Sequence, residues 1–244
     1  MEQLKFLGRG GAFFTEEGNT SAYFIEGKTL FLIDCGETVF SKIQQTRLLD
    51  ENQIEEIYCF ITHLHSDHIG SLSTLIYFCS YGYKDRQIKF YLVCPDELWF
   101  DLSALLHTQG VGGLFEAPLP EYLSGKFQSF KNANFIPTTH QDDYPAVSIE
   151  FETNNGYVFY SGDTNELDLV RNYVKLAPDL VERMYVEATT KTGPNNIHMS
   201  LDDLGKIVPR EMRDKVFLMH FNNSECIDRA QKLGFQVVEN VTTK

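Results

Sequence analysis

Three histidines and an aspartate fall within six positions, as His63-x-His65-x-Asp67-His68, directly after the apolar run IYCFIT. Only seven histidines occur in 244 residues, so this concentration at the end of one extended run asks for a chemical reason. Imidazole nitrogen and carboxylate oxygen together suit zinc, manganese or iron(II). On a strand leading into a loop, His63 and His65 lie two apart and can face the same way. The turn that follows brings Asp67 and His68 round to a second position nearby. Two ions held in this way need further ligands and a bridge, and other strand-like runs end in suitable residues. NFIPTTH ends at His140, YVFYSGD at Asp163 and KVFLMH at His220, while His198 lies in the loop NNIHMS. Only His107, at the end of a helix-like stretch, stands apart. The plain alternative is a polar turn that happens to be rich in histidine. Ionisable residues at the ends of several strands are instead the pattern of a site shared along a sheet rim.

The elements that must position these residues are short. LKFLG, SAYFIEG, TLFLIDCG, EIYCFITH, IKFYLVC, NFIPTTH, SIEFETN, YVFYSGD, RMYVEAT, KVFLMHF and FQVVEN are rich in β-branched and aromatic residues and are bounded by turn formers, which predicts strands. SIEFET and YVFYSG, joined by NNG, form the clearest hairpin. Helices are expected over Val39–Leu49, Ile69–Tyr81, Pro95–His107, Glu166–Leu176, Leu201–Val208 and Ser224–Leu233, with Pro95 suited to a first turn and Gly234 to a helix end. Strands run in meanders early and alternate with helices late. The expected architecture is α/β, two packed sheets with helices outside, in a single domain over 1–244. There is no internal repeat strong enough to identify.

Composition narrows the function classes. A content of 43% hydrophobic and 13% aromatic residues suits a well-packed globular protein. No run approaches the ~20 apolar residues of a membrane-spanning helix, and MEQLKFLGRGG has no secretory pattern. Five scattered cysteines, with no CxxC pair, predict reduced core thiols and a cytoplasmic location. The formal charge of -13 disfavours a long nucleic-acid partner, whose binding rests on basic patches. A small anionic substrate is compatible, because bound metal ions supply positive charge locally.

From HLHSDH through His140, SGDT with Asp163, and His220, the chain resembles the metallo-β-lactamase superfamily, and GRGGAF and TLFLIDCG extend the resemblance over nearly its whole length. The resemblance implies an αββα sandwich of two mixed β-sheets with two divalent metal ions along the rim, zinc foremost. His63, His65 and His140 would hold one ion, and Asp67, His68 and His220 the other, with Asp163 bridging the pair. The run VEATTKTGPNNIHMS is similar to a segment of the ribonuclease Z branch. There a glutamate orients a non-ligand histidine that protonates the leaving group, roles that fall on Glu187 and His198. An alkoxide leaving group needs such an acid even where metals activate the attacking water.

The departure from that branch matters as much. Only QDDYPAVSIEFETNNGYVFYSG separates His140 from Asp163, with no room for a tRNA-clamping arm, and SDH stands where GDH is usual. The chain is most similar to arm-less phosphodiesterases of the anti-Pycsar type, which hydrolyse cyclic mononucleotides used in antiviral signalling. That likeness implies in-line attack on phosphorus, with Asp67 orienting the nucleophile and His198 protonating the departing ribose oxygen. The alternatives are a tRNA 3′-processing nuclease, a thioester or lactone hydrolase of the same fold, and a non-catalytic nucleotide binder. LSTLIYFCSYGYK and DELWFDLSALLHTQGVGGLFEA are unusually apolar, and a homodimer contact there is weighed equally with ordinary packing. TQGVGGLF could reach a neighbouring site, and Phe221, Asn222 and Asn223 could touch a base.

Overall fold

The computed structural model describes residues 1–141, 144–176 and 179–242. The first half of the chain builds one sheet. Its strands are β1 (Lys5–Gly8), β2 (Ser21–Glu26), β3 (Thr29–Ile33), β4 (Glu56–Phe60) and β5 (Lys89–Val93), in that spatial order. The helices of this half are α1 (Val39–Gln45), α2 (Leu48–Glu51), α3 (Ser66–Ile69), α4 (Leu72–Tyr81) and α5 (Asp96–Thr108). The second half builds the other sheet from β6 (Asn132–Gln141), β7 (Tyr144–Glu152), β8 (Tyr157–Tyr160), β9 (Val181–Glu187), β10 (Val216–Met219) and β11 (Gln236–Val237), again in sequential order. Its helices are α6 (Leu167–Leu176), α7 (Leu201–Ile207) and α8 (Ser224–Lys232).

Each sheet starts as an antiparallel meander, β1–β3 or β6–β8, and continues with parallel strands. The sequence pattern suggested one meander early and one alternating region late; the structure runs through both twice. The hairpin expected at NNG is the β7–β8 pair, with Glu152 opposite Tyr157. The parallel strands β3, β4, β8, β9 and β10 run toward a common rim, and β6 points the same way through two antiparallel steps.

Strict alternation along the strands separates three apolar layers. Leu30 and Leu32 of β3 face the first helical layer, with Ile57 and Cys59 of β4, while Phe31, Ile33, Tyr58 and Phe60 fill the space between the sheets. On the other side Tyr160 and Tyr185 face inward, and Phe159, Met184, Val186 and Leu218 meet the second helical layer. Both faces of these strands are buried, so they read as unbroken apolar runs. The inter-sheet layer is aromatic. Phe60 meets Phe151 edge-on at 5.4 Å across the two sheets, and Tyr58 stacks on Tyr91 at 4.4 Å. At the rim the sheets are joined by the Val147 N–H donating to Thr62 O at 3.0 Å. This is the expected αββα sandwich of two mixed sheets.

Two expected helices are divided. Val39–Leu49 breaks at Arg47, which takes a left-handed conformation (φ 51°, ψ 34°). Ile69–Tyr81 breaks at Gly70–Ser71, where the Ser71 N–H leaves the helical ladder to donate to Cys35 O at 3.0 Å, while its hydroxyl donates to Gly36 O at 2.5 Å and accepts from Phe40 N at 3.0 Å. FQVVEN is a strand only over Gln236–Val237; beyond it Val241 N–H donates to Phe6 O at 2.8 Å, tying the chain end to the first sheet. Pro95 precedes α5 as its cap rather than entering its first turn. All five cysteines are buried and unpaired. Among the described residues no helix is long and apolar enough to cross a membrane.

Candidate functional site

Every histidine and carboxylate singled out at the rim arrives in one place. His63 follows β4, and α3 then turns Asp67 and His68 inward. His140 lies on β6, Asp163 follows β8, Glu187 ends β9 and His220 follows β10. Asp142 and Asp143, within the short segment noted above, lie outside the described residues. The rest of the segment is used up by β7, a four-residue turn and β8.

Among the described residues three sets of donors each lie close enough to share an ion: His63, His65 and His140; Asp67, His68, Asp163 and His220; and Asp163, Glu187, His198 and His220. In the first, His65 Nδ1 lies 3.1 Å from His63 Nε2 and 3.3 Å from His140 Nε2. In the second, Asp163 Oδ2 lies 3.3 Å from His68 Nε2 and 3.2 Å from His220 Nε2, and Asp67 Oδ2 lies 3.5 Å and 3.3 Å from the same nitrogens. Asp163 Oδ2 is also 3.9 Å from His63 Nε2 and 3.8 Å from His140 Nε2, so it stands between the groups. Bonds of ~2.0–2.2 Å around a tetrahedral ion place donors roughly 3.3–3.6 Å apart, so the spacing fits a metal of this class.

The hydrogen-bond pattern points the same way. His68 donates Nδ1–H to Asp34 Oδ2 at 2.8 Å, which leaves its buried Nε2 without a hydrogen-bond partner. The His140 Nδ1–H is taken by Ile197 O at 3.2 Å, and His63 Nδ1 lies 3.1 Å from the Thr62 hydroxyl. Holding one ring nitrogen in this way frees the other as a ligand. Burial, then neighbouring His68, pushes the His63 pKa well below its ordinary value, and burial also lowers His140. Both are therefore neutral, as coordination requires. Burial acts to lower His68 and His220 as well, yet the carboxylates overcome it and raise both, His220 to about 10. Asp34, Asp67, Asp163 and Glu187 thus make a pocket that draws in positive charge. Divalent cations satisfy that demand.

Beside this cluster His198 Nδ1 lies 2.5 Å from Glu187 Oε2 and 3.9 Å from Asp163 Oδ2. Glu187 is fully buried, and its other oxygen accepts from Thr164 N–H. Burial works to lower the His198 pKa, but Glu187 and then Asp163 raise it above its ordinary value.

A family model described as anti-Pycsar protein Apyc1 matches residues 2–243. The chain belongs to the anti-Pycsar Apyc1 family. It is 28% identical to the Apyc1 protein of Paenibacillus sp. (strain J14) over 232 residues, covering 91% of this chain and 89% of that one. It is also 28% identical to the Apyc1 protein of Bacillus phage BSP38 over 244 residues, covering 91% and 90%. The metallo-β-lactamase fold protein YhfI from Bacillus subtilis has the same fold, with a TM-score of 0.70 at 17% identity and coverage of 98% and 95%. As an Apyc1-family member the protein is a metal-dependent hydrolase acting on phosphodiester bonds.

The Apyc1-family site opens into a cavity of about 840 Å³. Gly11–Phe14 form one wall and Lys191–Ile197 the other, with His65, Asp67, His140, Asp163, His198 and His220 at its floor. Asn222 also lines it, although its side chain is engaged with Thr190 N at 3.0 Å. Phe221 is buried and Asn223 caps α8, accepting from Cys226 N at 2.9 Å, so neither is free to meet a base.

Three contributors escaped the sequence reading. Asp34 receives His68 Nδ1–H, Thr62 Oγ1–H at 2.7 Å and Thr62 N–H at 2.9 Å, and so orients two of the candidate ligands' supports. Thr62 relays that contact to His63. Tyr144 stacks on the His65 ring at 4.8 Å. The signal for Asp34 was present in TLFLIDCG, where a carboxylate ends an apolar strand as Asp163 does. Tyr144 carried no signal.

Proposed function

We propose that the protein hydrolyses 3′,5′-cyclic mononucleotides, cyclic CMP and UMP foremost and cyclic AMP and GMP as well, to linear mononucleotides. The observation that carries this reading is the His198–Glu187 pair beside the two donor groups. A thioester releases a thiolate and needs no such acid, whereas a ribose alkoxide does. The short connection between His140 and Asp163 and the net charge of -13 speak for a small substrate over precursor tRNA.

In this reading His63, His65 and His140 would hold one divalent ion and Asp67, His68 and His220 the other, with Asp163 shared. Bound ions there supply Lewis acidity toward the phosphoryl oxygens and make water nucleophilic at neutral pH. Asp67 orients the attacking water in line with the departing oxygen. Glu187 holds His198 Nδ1–H, which fixes the tautomer and leaves Nε2 to carry the proton. His198 delivers that proton to the ribose 3′ oxygen as the P–O bond breaks, and a 5′-mononucleotide results. The proposal extends to zinc as the native metal, to a cytoplasmic homodimer and to removal of cyclic-nucleotide signals in antiviral defence. The names of the Paenibacillus and phage relatives support the signalling part, and the five unpaired thiols suit a reducing compartment.

Incubating the metal-loaded protein with each of the four cyclic nucleotides tests the reading, with linear products resolved by chromatography. Turnover of at least one is expected. Failure on all four would overturn it, and cleavage of precursor tRNA at catalytic rates would restore the nuclease alternative.

A further inference from the structure

Phe13 is 95% exposed, more than any other large apolar side chain among the described residues, yet it lines the same cavity as Asp67, His198 and His220. The loop that carries it is firmly held. Gly10 N–H donates to Gly18 O at 2.8 Å, Gly11 N–H to Phe221 O at 2.9 Å and Thr20 N–H to Gly10 O at 3.0 Å. Arg9 braces the base of the loop through Glu17 at 2.7 Å and the Val238 carbonyl at 2.8 Å. Phe14, the next residue, packs against the second helical layer. The chain therefore anchors one phenylalanine and projects the other.

The loop lies close to the floor residues. A Cβ on Gly11 would lie 3.0 Å from His220 Cε1, so the loop backbone rests on that imidazole. Phe13 is two residues further on, at most about 7 Å of chain. A ring held on a braced backbone at the cavity wall, with little packed over it, leaves its face open to a ligand. The cavity of about 840 Å³ is larger than a phosphate and a ribose require. A nucleotide whose phosphate sits among the floor residues must place its base against one wall. Aromatic side chains hold bases by stacking on their π faces.

We propose that Phe13 is the platform on which the nucleobase of the bound nucleotide stacks. The inference rests on the nucleotide reading above, but not on turnover. Binding to the metal-loaded protein is measured by calorimetry for 5′-CMP, the product expected from loss of the 3′ oxygen, and for ribose 5-phosphate, which lacks the base. In the wild type 5′-CMP binds more tightly by ~10-fold or more, the increment typical of one stacked base. Phe13→Ala brings the two ligands to within about twofold of each other through 5′-CMP alone, with metal content and ribose 5-phosphate affinity unchanged. Phe13→Tyr keeps the increment.

The proposal is overturned if the wild type shows no increment, or if Phe13→Ala retains it. A change of molecular mass in light scattering for Phe13→Ala, with the increment intact, would likewise overturn it and make Phe13 a subunit contact. Lack of turnover by a wild type that still shows the base increment would remove the hydrolase reading and leave the platform standing.

Discussion

At the scale of single residues, the site separates groups that would hold metal from a group that would move a proton. His68 has its Nδ1 committed to Asp34 and its Nε2 bare, whereas His198 gives its Nδ1 to Glu187 at the edge of the cluster. His68→Ala is expected to lower metal content together with activity. His198→Ala should leave both ions bound and lower kcat by ~10²–10⁴. Elemental analysis alongside single-substrate kinetics separates the two outcomes, and full activity in His198→Ala would exclude the proton-donor role. A pH profile gives a second check. An acid must be protonated to act, so kcat falls as pH rises through the His198 pKa. Glu187 is the leading influence that raises that pKa. Removing its charge in Glu187→Gln should move the alkaline limb to lower pH by about one pH unit, measured at confirmed metal content.

At the scale of elements, the central strands β3, β4, β8 and β9 were legible because they bury both faces, so their apolar runs stand out between turn residues. The strand-end ligands were legible for the same reason, since an ionisable residue closing such a run is conspicuous. What the pattern missed depends on contacts between segments distant in sequence. The break at Gly70–Ser71 follows from the Ser71 N–H bonding to Cys35 O, and the role of Asp34 follows from a histidine thirty-four positions away. Gly36 shows how closely these segments meet, because a Cβ there would fall 1.9 Å from the Asp67 carbonyl oxygen. Backbone cannot yield as a side chain would. Gly36→Ala is therefore expected to displace the α3 turn, costing roughly 2 kcal/mol or more in urea unfolding, with loss of the second ion. Unchanged stability and metal content would show that the turn can give way.

At the scale of the whole molecule, one charge imbalance stands at the seam of the sheets. Asp34, Asp67, Asp163 and Glu187 are all buried, each within 4 Å of one or more of the site histidines. Ligands that bind only the folded state stabilise it by mass action, ~4 kcal/mol at a thousandfold excess over Kd. Chelation of the ions should accordingly lower Tm by roughly 10 °C for a chain of this size. Calorimetry with and without chelator measures it, and an unshifted Tm would mean that the cluster satisfies itself without cations.

Each sheet is a contiguous stretch of chain, and the donors divide along the same line. His63, His65, Asp67 and His68 come from the first stretch, and His140, Asp163 and His220 from the second. Under the proposed assignment neither ion would be fully ligated by one half alone. The exposed Gly112–Gly113 turn lies after α5 and before β6, shortly ahead of Glu116, which pairs with β5. A chain nicked there would behave as a two-fragment assembly whose reunion depends on divalent cation, so that catalysis and fragment complementation would answer to the same ions.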